Sequence, residues 1–450
     1  MIALKLSQIA TACNGIFNKD ITIDNICIDT RKVTKGSLFI CIKGERFDAH
    51  NFIDDAFKNG ASAVMICEDI SVNGPYVKVE DTKSALLVLG GYYRSLFDIP
   101  LVGLTGSVGK TTTKEFTYLV VNAKYKSIKT QGNLNNEIGL PQMLFQLDDS
   151  VEAAVIEMGM NHFGEISRLA KAAKPTVGVI TNIGVSHIEN LGSRDGILKA
   201  KLEILDGLEN NAPLILNADD DKLSTVKCEN HKILFYGINN GDFKAKNIIE
   251  NEGNTYFNIE YFGNVQSIKI PTIGIHNVYN ALAAFAVGYV LNIDSNLSAD
   301  ALSSYEPTGM RQKLVKNNGI TFIEDCYNAS PDSMRAALKT LHDTKGNKKI
   351  AVLADMLELG EYSIKAHSEV GKMVADNKID YLLAYGNEAK YIVEAAKLNG
   401  VDNSFLFDDK NVLTDKLISI VDKKDVVIFK GSRGMKLEDV INKLYKELEK

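Results

Sequence analysis

The chain has 450 residues, of which 45% are hydrophobic and 24% charged, and its formal net charge is −6. This length is too great for one hydrophobic core and predicts more than one domain of an ordinary globular protein. The net negative charge argues against a sequence-independent nucleic-acid binder, which needs a basic surface. No apolar run approaches the roughly 20 residues of a membrane helix, and no secretory signal is expected at the N-terminus.

The cysteines are scattered, without a C-x-x-C pair or a dense framework. The six of them are Cys13, Cys27, Cys41, Cys67, Cys228 and Cys326. Neither a zinc module nor a disulfide scaffold is therefore expected, and the pattern fits a protein of the reducing cytoplasm. The sequence carries no readable signal of an oligomer, so a monomer is favoured.

Residues 1–97 combine short β-like segments with a helical pattern. The helical pattern covers residues 52–59, and the β-like segments cover residues 36–42, 63–67 and 76–79. Segments of this length and alternation predict a small N-terminal α/β domain.

Residues 98–306 carry longer apolar segments, each followed by a helix-compatible stretch. Three of these segments are predicted strands, at residues 101–105, 153–159 and 176–184. Continuous apolar strands between helices are buried on both faces and favour a parallel, doubly wound sheet, here of the P-loop ATPase type. A β-rich stretch over residues 217–270 and an apolar helix over residues 276–291 complete this region.

Residues 307–450 repeat the α/β pattern. Strand-like segments lie at residues 319–328, 349–356, 381–386 and 425–431. They predict a third, Rossmann-like α/β domain. The expected fold is thus α/β with three domains, over residues 1–97, 98–306 and 307–450.

The segment PLVGLTGSVGKTTT, residues 100–113, is an apolar strand that breaks into a glycine turn and opens a helix. Such a turn points backbone N–H groups at a polyphosphate, while Lys110 supplies a positive charge and the Thr111 hydroxyl can bind Mg²⁺. The spacing departs from G-x-x-x-x-G-K, which needs glycine where Leu104 stands, and indicates a subfamily. The expected nucleotide contacts are Thr105, Gly106, Ser107, Val108, Gly109, Lys110, Thr111 and Thr112.

Polar residues also follow the next two strands of the central region. Glu157 ends an apolar strand, a place suited to Mg²⁺, although a solvated carboxylate is the plain alternative. Asn182 and His187 follow the third strand and could reach the same cleft, although a single histidine is more often structural. Lys201 lies on a predicted helix, and its position alone indicates a solvated surface lysine.

The segment GNLNNEIGLP, residues 132–141, is dense in amides. Asn135 and Asn136 offer donors and acceptors that suit a sugar or a phosphate. Asparagine between glycines is also typical of a simple turn, so the segment alone does not decide between the two.

Together these segments resemble the ATP-dependent Mur ligases of peptidoglycan synthesis. The matching runs, in order, are TGSVGKTTT, GNLNNEIGLP, EMGMNHFGEI, TNIGVSHIENLGS, KAKLEILDGL, GIHNVYNALAA, EDCYNASPDSM, ADMLELGE and KGSRG. The resemblance covers residues 29–434, beginning with the segment over residues 29–52. Two positions depart from the family pattern, each with a residue of similar size. Cys326 stands where a serine is expected, and Ala354 stands where glycine is commoner.

The resemblance implies ATP and Mg²⁺ as cofactors and assigns them residues. Thr111, Glu157 and His187 match positions at the metal sites, and Lys201 matches a lysine that the family carbamylates. Lys110, Lys201 and His187 are the catalytic residues expected on this basis. The remaining nucleotide contacts that the resemblance implies are Asn277, Asn280, Arg311 and Asp325.

The resemblance also implies two substrates, UDP-N-acetylmuramoyl-tripeptide and D-alanyl-D-alanine, which are joined through an acyl phosphate. Thr30 and Arg31 match the region for the UDP end, and Asn135 and Asn136 match a loop beside it. The dipeptide pocket has no assigned motif. Its candidates are Tyr327, Asn328, Ser330 and residues 430–433.

Two alternatives remain open from the sequence. The first is a sibling ligase with another amino-acid or peptide nucleophile, including relatives of folylpolyglutamate synthetase. The second is a nucleotide-binding module in which ATP hydrolysis drives a conformational switch and forms no bond.

Overall fold

The computed structural model describes residues 1–44, 47–307 and 309–448. Glu45 and Arg46, which belong to the family-like segment over residues 29–52, lie outside the described residues. The same holds for Thr308 and for the last two residues of the predicted third domain. The structure contains several sheets with helices packed on them, as the sequence predicts.

The first region is built on a five-stranded sheet and a two-stranded one. Its strands are β1 (Leu4–Lys5), β2 (Ile16–Phe17), β3 (Thr22–Ile23), β4 (Asn25–Cys27), β5 (Ser37–Ile40), β6 (Ala63–Ile66) and β7 (Tyr76–Lys78). Its helices are α1 (Leu6–Ala12), α2 (Ile53–Lys58) and α3 (Thr82–Arg94). Strands β4 to β7 are parallel, and β2 pairs antiparallel with β7 at the edge.

Helix α3 joins this region to the next. The Tyr93 hydroxyl donates to the carbonyl of Leu147 at 2.7 Å, and Arg94 Nε donates to the carbonyl of Ala173 at 3.1 Å. Both side chains are buried, so these hydrogen bonds satisfy groups that would otherwise be costly inside the protein. The first two regions thus share one continuous apolar core.

The central region contains a nine-stranded sheet. Its strands are β8 (Leu101–Thr105), β9 (Ser127–Lys129), β10 (Ala153–Glu157), β11 (Val177–Ile180), β12 (Leu214–Asn217), β13 (Ile233–Gly237), β14 (Phe243–Asn251), β15 (Asn254–Tyr261) and β16 (Asn264–Ile270). Its helices are α4 (Lys110–Asn122), α5 (Gly139–Leu144), α6 (Glu165–Ala173), α7 (Ile188–Leu191), α8 (Arg194–Leu202), α9 (Ile275–Val290) and α10 (Ser295–Ser303).

The order of the central strands is β16-β15-β14-β13-β12-β11-β8-β10-β9. Strands β8 to β13 are mutually parallel, with β8 between β10 and β11, and β14 pairs parallel with β13. Strands β15 and β16 extend the sheet with antiparallel pairing. All five residues of β8 and of β10 are buried, which confirms strands covered on both faces. The carboxyl ends of β10, β8 and β11 therefore lie side by side at one edge.

The last region contains a six-stranded sheet. Its strands are β17 (Lys313–Asn317), β18 (Ile320–Glu324), β19 (Lys349–Ala354), β20 (Tyr381–Tyr385), β21 (Ser404–Phe407) and β22 (Val426–Lys430). Its helices are α11 (Pro331–Asp343), α12 (Ser363–Asp376), α13 (Ala389–Leu398), α14 (Lys410–Ile420) and α15 (Glu438–Leu448). The order is β17-β18-β22-β19-β20-β21, parallel except for the pair β17 and β18. None of the helices in the described part of the chain could span a membrane.

Candidate active site

A cavity of about 580 Å³ lies where the carboxyl ends of the central and last sheets face each other. Most of the predicted site residues line it: Ser107, Val108, Gly109, Lys110, Thr111, Thr112, Asn135, Asn136, Glu157, His187, Asn277, Asn280, Arg311, Asp325, Tyr327, Asn328, Ser330, Lys430, Ser432 and Arg433. Thr105, Gly106 and Lys201 are buried and do not line this cavity. Residues far apart in the chain thus meet at one cleft.

The glycine turn after β8 has the backbone that a phosphate site requires. Gly109 has a φ of +79° directly before α4, and a Cβ there would lie 2.8 Å from Asn280 Oδ1. The turn is held by Asn182, whose Oδ1 accepts from the Val108 N–H at 2.9 Å while its Nδ2 donates to the Val108 carbonyl at 3.0 Å. The free N–H groups at the start of α4 can then receive an anion.

Lys110 folds back over this turn. Its Nζ donates to the carbonyls of Gly106 at 2.8 Å and Ser107 at 3.2 Å. Burial lowers the pKa of Lys110, and the nearby Arg311 lowers it further, while Glu157 raises it. The lysine is therefore held at the mouth of the turn, where an incoming phosphate can replace the two carbonyls as its partner.

Glu157 is almost fully buried at the end of β10, so it is not a solvated carboxylate. Its Oε2 accepts from the Thr111 hydroxyl at 3.1 Å, and its Oε1 accepts from Asn135 Nδ2 at 2.8 Å. The carboxylate and the hydroxyl are hard oxygen ligands, which fit Mg²⁺, and the Asn135 amide N–H holds the carboxylate in place. The ammonium of Lys114 also lies 3.9 Å from Oε2.

His187 occupies a left-handed backbone conformation with a φ of +62°. Its Nδ1 lies 3.3 Å from Glu358 Oε2, which belongs to the last region. Burial lowers the pKa of His187 to about 4, and the positive charges of Lys110 and Lys201 contribute. The imidazole is therefore neutral at pH 7, the form that binds metals.

Lys201 is 2% exposed, which corrects the surface position that its helical pattern indicates. Burial lowers the pKa of Lys201 well below its usual value, and the charge of Lys110 acts in the same direction. Among the residues that the structure describes, none forms a hydrogen bond or an ion pair with its Nζ. Burial thus favours the neutral form of this unpartnered amine, and the neutral form is the nucleophilic one.

Asn277 and Asn280 lie on successive turns of α9 and connect the glycine turn to the last region. Asn280 Oδ1 accepts from the Thr113 hydroxyl at 2.9 Å, and its Nδ2 donates to Asn277 Oδ1 at 3.2 Å. Asn277 Nδ2 in turn donates to Gln312 Oε1 at 3.1 Å. These amides form one hydrogen-bonded chain along the cleft wall.

The last region contributes cations and aromatic surface. The guanidinium of Arg311 lies 4.0 Å from the centre of the Tyr327 ring, a cation–π contact. Asp325 is paired with the buried Lys430, whose Nζ lies 2.7 Å from Asp325 Oδ2 and donates to the Asn328 carbonyl at 3.2 Å. Ser330 caps the N-terminus of α11. Asp325 and Ser330 thus hold the wall of the cleft together.

Thr30 and Arg31 do not reach the cavity. They form a 3₁₀ turn after β4, at the carboxyl edge of the first sheet, where Arg31 pairs with Asp29 at 2.7 Å. The Arg31 side chain is 87% exposed and can receive an anionic ligand. Asn136 lines the cavity, but its Oδ1 accepts from the Gly139 N–H at 2.8 Å, which gives it a role in the turn.

Several residues at or beside this site were absent from the sequence-based set, among them Lys114, Gln312 and Glu358. Lys114 could have been found, because it lies one helical turn after Lys110 on the same face of α4. Glu358 lies within the family-like run ADMLELGE, and Gln312 directly follows Arg311, but no local pattern shows that either side chain reaches the cleft.

Comparison with family models gives three matches in chain order. Residues 22–89 match the catalytic domain of the Mur ligase family, residues 104–288 the Mur ligase middle domain, and residues 310–433 the glutamate ligase domain of Mur ligases. These segments contain the 3₁₀ turn of Arg31, the glycine turn, and most residues that the last region contributes to the cleft.

Relatives of similar sequence and solved structures point to the same family as these domain matches. The chain is 40% identical to the UDP-N-acetylmuramoyl-tripeptide--D-alanyl-D-alanine ligase of Bacillus subtilis, over 94% of this chain and 93% of the relative. The Escherichia coli ligase of that name is 34% identical over 99% of both chains.

Among solved structures, MurF from Acinetobacter baumannii superposes with a TM-score of 0.94 at 32% identity, over 100% of this chain and 99% of that one. MurF ligase from Thermotoga maritima in complex with ADP gives a TM-score of 0.87 at 31% identity, over 94% of this chain and 98% of that one. The chain therefore belongs to the Mur ligase family.

Proposed function

We propose that the chain is an ATP-dependent ligase that adds D-alanyl-D-alanine to UDP-N-acetylmuramoyl-tripeptide and so forms the pentapeptide precursor of peptidoglycan. The observation that carries this proposal is full-length similarity to ligases of that name from several bacteria. The ADP complex of a similar ligase supports ATP as the nucleotide. The scattered free cysteines fit the cytoplasm as its compartment.

In this reaction the tripeptide carboxylate attacks the γ-phosphate, which gives an acyl phosphate and releases ADP. The dipeptide amine then attacks the acyl carbon and releases phosphate, so that one C–N bond forms. The backbone N–H groups after Gly106 and the charge of Lys110 hold the phosphates. A cleft bounded by two sheets can bring the amine in and exclude water, which would hydrolyse the acyl phosphate.

Mg²⁺ fits the donors present, with Thr111, Glu157, His187 and Lys201 as the residues that would hold it. The ion would neutralise the two anions that must approach each other. Lys201 can contribute only after its amine attacks CO₂, loses a proton and becomes a carbamate. The buried position and lowered pKa support this assignment, because carbamate formation requires the neutral amine and burial favours that form.

The three predicted domains receive separate tasks in this proposal. Residues 1–97 would bind the UDP end near Thr30 and Arg31, residues 98–306 would bind ATP, and residues 307–450 would bring the dipeptide. For the dipeptide, the polar surface around Tyr327, Asn328 and Arg433 is the proposed region, because it lines the cleft opposite the glycine turn.

The deciding experiment measures ADP release from ATP and Mg²⁺ with the two substrates supplied separately and together. We expect release only with both, together with the mass of the pentapeptide product. Release with a single amino acid and a shorter acceptor would move the chain to a sibling activity. ATP hydrolysis that ignores the muramyl nucleotide would instead favour a nucleotide-driven switch.

A further inference from the structure

Lys114 is a buried lysine beside Glu157. It lies on α4 one turn after Lys110, and it is 1% exposed. Its Nζ lies 3.2 Å from Glu115 Oε1 and 3.9 Å from Glu157 Oε2. The proposed reaction does not use this residue, yet its ammonium is as close to the candidate metal ligand as an ion pair requires.

The ion pair belongs to a longer row of charges. Glu115 also pairs, through its other carboxylate oxygen, with Lys129 of β9. The order is therefore Lys129, Glu115, Lys114 and Glu157, so positive and negative groups alternate along the row. A buried charge persists only where an opposite charge compensates it, and here every member of the row has such a partner.

This compensation changes what Glu157 offers to a cation. The oxygen that Lys114 faces, Oε2, is the same one that accepts from Thr111. The negative charge of Glu157 is thus already neutralised from the side of α4, and Lys110 adds a further positive charge in the cleft. A divalent ion that approaches the carboxylate meets repulsion that only additional anions can offset.

We propose that Lys114 is a positioning residue that neutralises Glu157 from behind, so that a divalent cation binds there only together with the phosphates of the nucleotide. The inference rests on the proposed metal and ATP site and specifies the order in which that site assembles. Metal and nucleotide would enter as one unit, and the free protein would hold no ion at Glu157.

The test uses the full chain and Mn²⁺ as the probe, with free Mn²⁺ measured by electron paramagnetic resonance in the presence and absence of ADP. We expect the wild type to bind Mn²⁺ at least about tenfold more weakly without ADP, from the repulsion of one nearby unit charge. In Lys114→Met the affinity without ADP should rise by about tenfold or more, so that most of the ADP dependence disappears.

Two variants act as controls. Lys114→Arg keeps the charge and should keep the ADP dependence. Lys129→Met makes the same substitution at the other partner of Glu115. Because Lys129 does not pair with Glu157, this variant should bind Mn²⁺ like the wild type. If Lys114→Met fails to fold, the double variant Lys114→Met and Glu115→Gln keeps the buried charges balanced and should still bind Mn²⁺ without ADP.

The outcomes are distinguishable. An unchanged ADP dependence in Lys114→Met, or in the double variant, overturns the inference and leaves the proposed function intact. Equal Mn²⁺ binding by the wild type with and without ADP overturns it as well. A wild type that binds no Mn²⁺ even with ADP overturns the proposed metal and nucleotide site, and the role of Lys114 with it.

Discussion

Glu358 Oε2 lies 3.3 Å from His187 Nδ1, and this contact joins the last region to the central one. Both residues have left-handed backbone conformations, with φ values of +63° and +62°. The contact leaves Nε2 of the imidazole available to a ligand. Carboxylates that contact the other nitrogen of a metal-binding histidine orient the ring and strengthen binding.

Glu358→Ala should therefore raise the apparent Mg²⁺ requirement of the ligase by about tenfold, the lower end for such supporting groups. The measurement is the initial rate against Mg²⁺ concentration at saturating ATP. Glu361→Ala is the matched control, since Glu361 lies exposed in the 3₁₀ turn that follows the loop of Glu358. An unchanged Mg²⁺ requirement in Glu358→Ala would remove this carboxylate from the metal site.

Lys201→Ala should lose most of the activity, and added bicarbonate should not restore it, because no amine remains to carry the carbamate. The wild type incubated with ¹³C-bicarbonate should show a carbamate carbon by NMR that the variant lacks. Lys199→Ala, on the same helix but facing Phe163 at 5.9 Å, should keep full activity. Full activity of Lys201→Ala would exclude the carbamate.

Lys110→Ala should abolish ATP turnover, with a loss of at least about a hundredfold, because the phosphates lose their positioned charge. The measurement is ADP release with both substrates present. Lys126→Ala removes an exposed lysine just beyond the end of α4 and should turn over normally. Near-normal turnover in Lys110→Ala would refute the phosphate site at this turn.

Gly109→Ala should destabilise the protein by more than backbone strain alone. A side chain at a φ of +79° costs about 1 kcal/mol, and the added methyl group would also displace Asn280. Gly253→Ala is the matched control, with the same φ and no neighbouring atom within 4 Å. Urea unfolding should show about 1 kcal/mol lost in the control and about twice that in Gly109→Ala. Equal losses would remove Asn280 from this explanation.

Local pattern was sufficient to predict the elements that carry the site. Uninterrupted runs of apolar residues predict the strand of residues 101–105 and the apolar helix α9, and both are confirmed. Glu157 could be placed at a strand end for the same reason. The resemblance to the family was needed for Lys201, since its helical pattern is that of a surface residue.

By itself the sequence determined the α/β class, the glycine turn after a buried strand, and the polar residues at the strand ends, because these depend on neighbours within a few positions. Tertiary structure alone decided that Glu358 meets His187 and that Gln312 meets Asn277, since the partners lie in separate sheets. It also decided that Lys114 lies buried against Glu157. Such contacts depend on how strands and helices pack, and no local pattern encodes that packing.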